Sequence, residues 1–321
     1  MKYQTINGLD KPLSRLVLGC DSLPFHEGND VSSLLEGMME LGINVFDTAH
    51  KYGNSEKLIG SFISSKGCRE KVVIITKGCH PTKEGKSTLT TSILRSEIEQ
   101  SFLDLNTDYI DIYLLHRDDP NMDLKGMLSV LNEYHQAGKI RMYGGSNWTA
   151  KRIEEANSIC QKEGYAPFMA SSPNYSLAEW ENDPWGGVVS LSGASGAKER
   201  EFYEKTGMPV FAYSPLARGF LSGRVNSSDL ETGKALLKKD AIVSYWSENN
   251  IERLKKAELL AKKKSTDVPS IALAYLLSSS IDVFPIIGTT NVSRMARNIK
   301  ALDIILSEGE REYLNLERDI L

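Results

Sequence analysis

Short apolar runs rich in β-branched residues alternate along this chain with longer stretches whose apolar residues recur every three or four positions. The short runs are residues 16–19, 43–47, 72–77, 109–116, 140–145, 168–172, 209–214 and 283–287. Their nearly continuous apolar character predicts strands buried on both faces of a parallel sheet. Helical spacing is clearest over 31–41, 88–105, 124–137 and 251–264. Asn54-Ser55 ahead of Glu56, and Asn291 with Ser293 ahead of Arg294, read as helix starts.

Eight strands, each followed by a helix, predict an α/β chain folded as a (β/α)8 TIM barrel, whose usual size is about 250 residues plus insertions. A doubly wound open sheet would need a glycine-rich first crossover, and Gly19-Cys20-Asp21-Ser22 is not one. Residues 177–196 and 217–248 follow the sixth and seventh strands, so they are expected as extended loops on the C-terminal rim. With no linker between segments, residues 1–321 are expected to form a single domain.

Composition narrows the class. Lys+Arg number 38 against 42 Asp+Glu, a net charge of −4 that gives no electrostatic reason to expect nucleic acid or an anionic membrane as partner. The apolar runs are too short to span a bilayer, and MKYQTINGLD lacks the apolar core of a secretory signal. Cys20, Cys68, Cys79 and Cys160 form no C-x-x-C pair, so a reducing, cytoplasmic location is expected, with no disulfides and no metal site. The chain contains no G-x-G-x-x-G, phosphate loop, G-x-S-x-G or H-E-x-x-H. No heptad pattern or exposed apolar stripe marks a self-association face.

The expected strand ends carry a polar set. Asp47 closes the second strand, Lys77 the third and His116 the fourth; Ser146-Asn147 follow the fifth, and Tyr52 lies on the loop past Asp47. In a barrel these positions converge on one rim. A lysine and an aspartate facing one partly buried site should pair. A phenol beside that ammonium would ionise more easily, which suits a general acid that protonates a carbonyl oxygen as hydride arrives at carbon.

FDTAHKYGNSE (46–56), TKG (76–78), LLHRDDP (114–120), GGSNW (144–148), FAYSPLARG (211–219) and IIGTTNVSRMARN (286–298) together resemble the aldo-keto reductases. The resemblance implies a (β/α)8 barrel that binds NADPH, or less often NADH, without a Rossmann fold. It implies a catalytic tetrad of Asp47, Tyr52, Lys77 and His116, with Tyr52 as proton donor, Lys77 held by Asp47, and His116 orienting the carbonyl of an aldehyde or ketone reversibly reduced to the alcohol. Ser146 and Asn147 correspond to residues on the nicotinamide carboxamide, and Tyr213 to the aromatic residue under the nicotinamide ring. Ser214, Leu216 and Ala217 correspond to the pyrophosphate loop. Gly288, Thr289, Arg294, Arg297 and Asn298 fall on the adenosine end, with Arg294 toward a 2′-phosphate.

Three positions depart from the family pattern. Ser172 stands where a glutamine is common, leaving either Ser172 or Asn174 to take that nicotinamide contact. Gly288 replaces a frequent lysine, and Arg297 an acidic residue. Phe25, His50, Trp148 and Trp185 are the expected substrate-pocket residues, with Pro24 and Trp180 near them. Two other functions are compatible with the scaffold: a nucleotide-sensing regulatory subunit like the potassium-channel β subunits, and an aldolase or isomerase using Lys77 as a Schiff base.

Overall fold

The near-continuous apolar runs form the staves of a closed parallel barrel. In the computed structural model, which describes residues 1–183 and 185–320, the strands are β1 (Tyr3–Gln4), β2 (Leu13–Ser14), β3 (Val17–Gly19), β4 (Val45–Asp47), β5 (Val73–Gly78), β6 (Ile110–Leu115), β7 (Ile140–Ser146), β8 (Ala170–Ser172), β9 (Val210–Ala212) and β10 (Val283–Ile287). The barrel order is β10-β3-β4-β5-β6-β7-β8-β9, so sequence neighbours pair throughout, as in a (β/α)8 barrel. Every expected strand is present: most are shorter by a residue or more, β5 and β7 run one residue further than expected, and β10 has the expected bounds. Pro184, within the 177–196 rim segment, and Leu321, at the end of the expected 1–321 domain, lie outside the described residues.

The chain forms two compact units. The first comprises Met1–Ser172 with Gly288–Val292. Its β3 to β8 are parallel, with Leu18 opposite Phe46, Val45 opposite Val73, Ile75 opposite Ile112 and Ile112 opposite Met142. All seven of these side chains are fully buried, which explains why the strands read as apolar runs rather than alternations. Register is locked at β7 by glycine: a Cβ at Gly144 would run into the Ala170 carbonyl, and one at Gly145 would sit 2.5 Å from the Trp148 ring. Ahead of the barrel strands, β1 and β2 pair antiparallel as a hairpin that the apolar pattern does not predict, since each is two residues long.

Helix starts in this unit follow capping chemistry. Thr90, Asp123 and Thr149 accept from the backbone N–H three residues on, opening Thr91–Leu105, Leu124–Gln136 and Ala150–Glu163. Asn54 does occupy the cap position of Ser55–Lys66, but its side chain does not cap. Its ψ of 7° is not the extended backbone that aims a cap side chain into the first turn, and its amide donates instead to the His26 carbonyl at 3.0 Å.

The second unit comprises Pro173–Ile287 with Ser293–Leu321. Its β9 and β10 pair in parallel, with Phe211 stacked on Phe284 at 5.1 Å. The 217–248 rim segment carries two short helices, Leu230–Ala235 and Lys239–Tyr245. Within 177–196, Asp183 accepts from the N–H groups of Trp185, Gly186 and Val188. Among the described residues, no helix is long and apolar enough to cross a membrane.

Candidate active site

In the first unit, hydrogen bonds continue the strand ladders one step past their ends. Cys20 N–H donates to Asp47 O, Thr48 N–H to Ile75 O, His50 N–H to Lys77 O and His116 N–H to Gly78 O, all at 2.8–2.9 Å. This fixes the strand-end side chains at a common level. Lys77 Nζ donates to Asp47 Oδ1 at 2.5 Å and to the Thr48 carbonyl at 3.0 Å. Both charged groups are buried, with relative exposures of 3% and 4%. Burial pushes the Asp47 carboxyl up while the Lys77 ammonium draws it the other way.

Tyr52 follows on a turn closed by its N–H to Ala49 O, and its half-buried ring lies 5.3 Å from Lys77 Nζ. The His116 ring meets it edge-on at 5.7 Å and 79°. His116 Nδ1 is buried with no hydrogen-bond partner. Burial, and then the Lys77 ammonium, hold this imidazole well below the ordinary histidine range, so it is neutral at neutral pH. All four expected tetrad residues therefore share one rim cluster. Lys77 is engaged as an ammonium by two acceptors, which disfavours the free amine a Schiff base needs.

Ser146 and Asn147 close β7. Ser146 Oγ donates to the Ser172 carbonyl at 2.9 Å, and Asn147 Nδ2 to Ser146 Oγ at 3.1 Å. Asn147 has φ of 62°, a left-handed conformation that non-glycine residues adopt at a cost and that concentrates at functional sites. Thr289, buried in the same unit, accepts from Asn291 N–H at 3.2 Å. A Cβ on Gly288 would meet nothing within 4 Å, so sterics do not demand glycine there.

In the second unit, Tyr213 is half-buried and its ring lies 6.0 Å from that of Trp185. Ser214 and Ala217 are left-handed at φ 52° and 49°, with Leu216 between them. Leu216, Arg294, Arg297 and Asn298 line one cavity of about 610 Å3, together with Arg224 and Lys262. Asn298 Nδ2 is buried there without a partner. Cationic side chains around an unsatisfied buried amide suit a phosphorylated, hydrogen-bonding ligand such as the adenosine end of a dinucleotide. Asn174 is fully committed elsewhere: its oxygen accepts from Ser190, and its Nδ2 donates to Tyr213 O at 3.1 Å and Tyr245 Oη at 3.3 Å.

The expected substrate-pocket residues divide. His50 is partly exposed and pairs with Glu56 at 3.6 Å, which raises its pKa above the usual value. Trp185 is exposed and lies under the Arg218 guanidinium at 4.9 Å. Phe25 and Trp148, by contrast, are fully buried. Trp148 packs edge-on against Phe168 and donates its indole N–H to Arg117 O, supporting the rim from beneath.

Two residues near the tetrad gave no sequence signal. His26 lies 6.0 Å from the Tyr52 ring and pairs with Asp21 at 2.5 Å. His80 meets His116 edge-on at 4.7 Å and 84°. His26 lies in the five-residue helix Leu23–Glu27 and His80 on the loop past β5, both too short for spacing to carry a period.

The family model described as the aldo/keto reductase family matches residues 15–315. A curated protein of Schizosaccharomyces pombe named "Putative aryl-alcohol dehydrogenase C977.14c" is 26% identical over 350 aligned positions, covering 97% of this chain and 94% of that protein.

Proposed function

The chain belongs to the aldo/keto reductase family of nicotinamide-dependent oxidoreductases, and from that premise we propose that it is an NADPH-dependent reductase of aldehydes or ketones, acting in the cytoplasm as one domain over residues 1–321. One observation carries this reading: a buried Lys77–Asp47 ion pair 5.3 Å from a rim phenol whose other edge faces the neutral imidazole of His116.

The dinucleotide supplies the hydride; the chain's own residues manage the proton. Tyr52 donates it to the carbonyl oxygen, and Lys77 stabilises the charge that develops on the phenol oxygen as the proton leaves. Asp47 holds Lys77 in place and balances its charge. His116, neutral and edge-on to Tyr52, hydrogen-bonds the carbonyl oxygen and orients it. Ser146, Asn147 and Ser172 hold the carboxamide, Ser172 taking the contact because the Asn174 amide is already satisfied. Tyr213 offers its ring to the nicotinamide, and Ser214, Leu216 and Ala217 the pyrophosphate loop. Arg294, assisted by Arg297, takes the 2′-phosphate, a match of guanidinium fork to phosphate, while Asn298 contacts adenine and Gly288-Thr289 border it. His50 and Trp185 remain as substrate contacts, since Phe25 and Trp148 offer no surface.

The test is NADPH consumption with an aldehyde panel. Wild type should turn over; Tyr52→Phe should lose at least about 10²-fold in kcat while still binding NADPH, the scale of general acid catalysis. Full activity in Tyr52→Phe would overturn the assignment.

A further inference from the structure

A second cavity, of about 560 Å3, lies wholly within the first unit beside the tetrad. His50, Lys51, Lys77, His80, Thr82, Lys83 and Thr88 line it, with two acids, Glu84 and Glu97. Among the described residues, Pro81 is its single apolar lining side chain apart from glycines, so an aryl group would find almost no apolar wall.

His80 joins this recess to the chemistry. Its ring lines the cavity and reaches within 4.7 Å of His116. The turn that carries it is held at three points. Cys79, left-handed at φ 59°, donates its N–H to Glu97 Oε2 at 2.5 Å. His80 Nδ1 hydrogen-bonds Pro81 O at 2.8 Å, and Thr88 Oγ1 donates to His80 O at 3.0 Å.

The charges around the recess lean one way. Glu97 is engaged by Cys79 N–H, and Glu56 by Thr76 and His50. Glu84 is solvated at the mouth beside Thr82. Lys77, Arg117 and Lys51 all act on His116, and Arg117 and Lys51 on His80, with Asp21 the one acid opposing them there. Lys51 and Lys83 are exposed at the opening. A substrate entering here passes Lys51 and Lys83, with the solvated Glu84 beside them, and then the imidazole of His80.

We infer that this recess is a subsite for an anionic group, and that the substrates are carbonyl compounds carrying a carboxylate or phosphate rather than unsubstituted aryl aldehydes. The inference rests on the reductase reading for its direction of binding: the carbonyl lies at Tyr52 and His116, and the anionic tail passes His80 to Lys51 and Lys83.

The experiment compares benzaldehyde with 4-carboxybenzaldehyde on the NADPH-loaded protein, with terephthalate titrated calorimetrically as a non-reducible probe. The carboxylated aldehyde should be favoured in kcat/KM by about fivefold or more, the scale of one or two partly exposed ion pairs. That ratio should shrink as salt rises to about 1 M, where charges are screened over a few ångströms. In Lys51→Gln/Lys83→Gln it should fall to about one, and terephthalate binding should weaken in step. A ratio at or below one in wild type, or one untouched by the double substitution, overturns the proposal. Turnover of neither aldehyde would refute the reductase reading alone. The anion subsite would then stand on lysine-dependent terephthalate binding, and fall if terephthalate does not bind or binds the variant equally.

Discussion

Lys77 and Asp47 face each other from adjacent parallel strands, joined at 2.5 Å with almost no exposure to water. Charges this deep are tolerated only in pairs, because the cost of removing each from water is offset by the other and by local hydrogen bonds. Asp47→Ala therefore strands a buried ammonium whose one remaining acceptor is the Thr48 carbonyl. Urea unfolding should show a loss of about 3–5 kcal/mol, the range for breaking a buried pair. An unchanged midpoint would mean that water reaches Lys77 freely.

Protonation should destabilise the fold from the acid side. His116 and His80 both titrate below the ordinary value of 6.5, chiefly through burial. A depressed histidine stabilises the protein above its unfolded value, and that contribution is lost as pH falls through the folded value. His50, raised by Glu56, contributes in the opposite sense: its stabilisation is present below 6.5 and lost as pH rises through its folded value. With two depressed groups against one raised, the urea midpoint should drop between about pH 7 and about pH 5, and drop less steeply in His116→Asn. An equal slope in the variant would count against burial as the cause.

Gly145 has no room for a side chain. A Cβ there would lie 2.5 Å from the Trp148 ring, itself fully buried against Phe168. Gly145→Ala should cost about 1–3 kcal/mol through overpacking, read as a lower Tm. Gly207 is a different case: it has open space around it, but its φ of 64° makes it the left-handed end of Ala197–Thr206. Gly207→Ala should therefore be destabilising too, by about 0.4–1 kcal/mol or more, through backbone strain alone.

Gly288 is the opposite case, with nothing within 4 Å of a Cβ. Gly288→Lys should fold normally and raise the NADPH over NADH preference by about tenfold, the worth of one charge-assisted phosphate contact. Fluorescence titration with both dinucleotides reads the ratio. No change would place the 2′-phosphate out of reach of position 288.

The strands were legible because burial on both faces leaves an unbroken apolar run, as in Val73–Ile75 and Ile110–Leu115. The β1–β2 hairpin was not, since two-residue strands hold no period. Asn54 shows the limit of cap signatures: residue type suggested a cap, and backbone geometry sent its amide to His26 instead. Trp148 and Phe25 read as pocket residues from their position beside strand ends, yet packing drew both rings fully inside.

Continuous apolar runs alternating with helical spacing by themselves determined the eight-stranded barrel, and the polar residues at and just past strand ends marked Asp47, Tyr52, Lys77 and His116. Those features are local, written in neighbouring residues and repeated along the chain. Tertiary structure alone decided that His80 abuts His116, that Asn174 is already satisfied, and that a polar recess opens beside Lys77. These depend on contacts between segments far apart in sequence, where no period links the partners and only the closed packing of strands and turns brings them within reach.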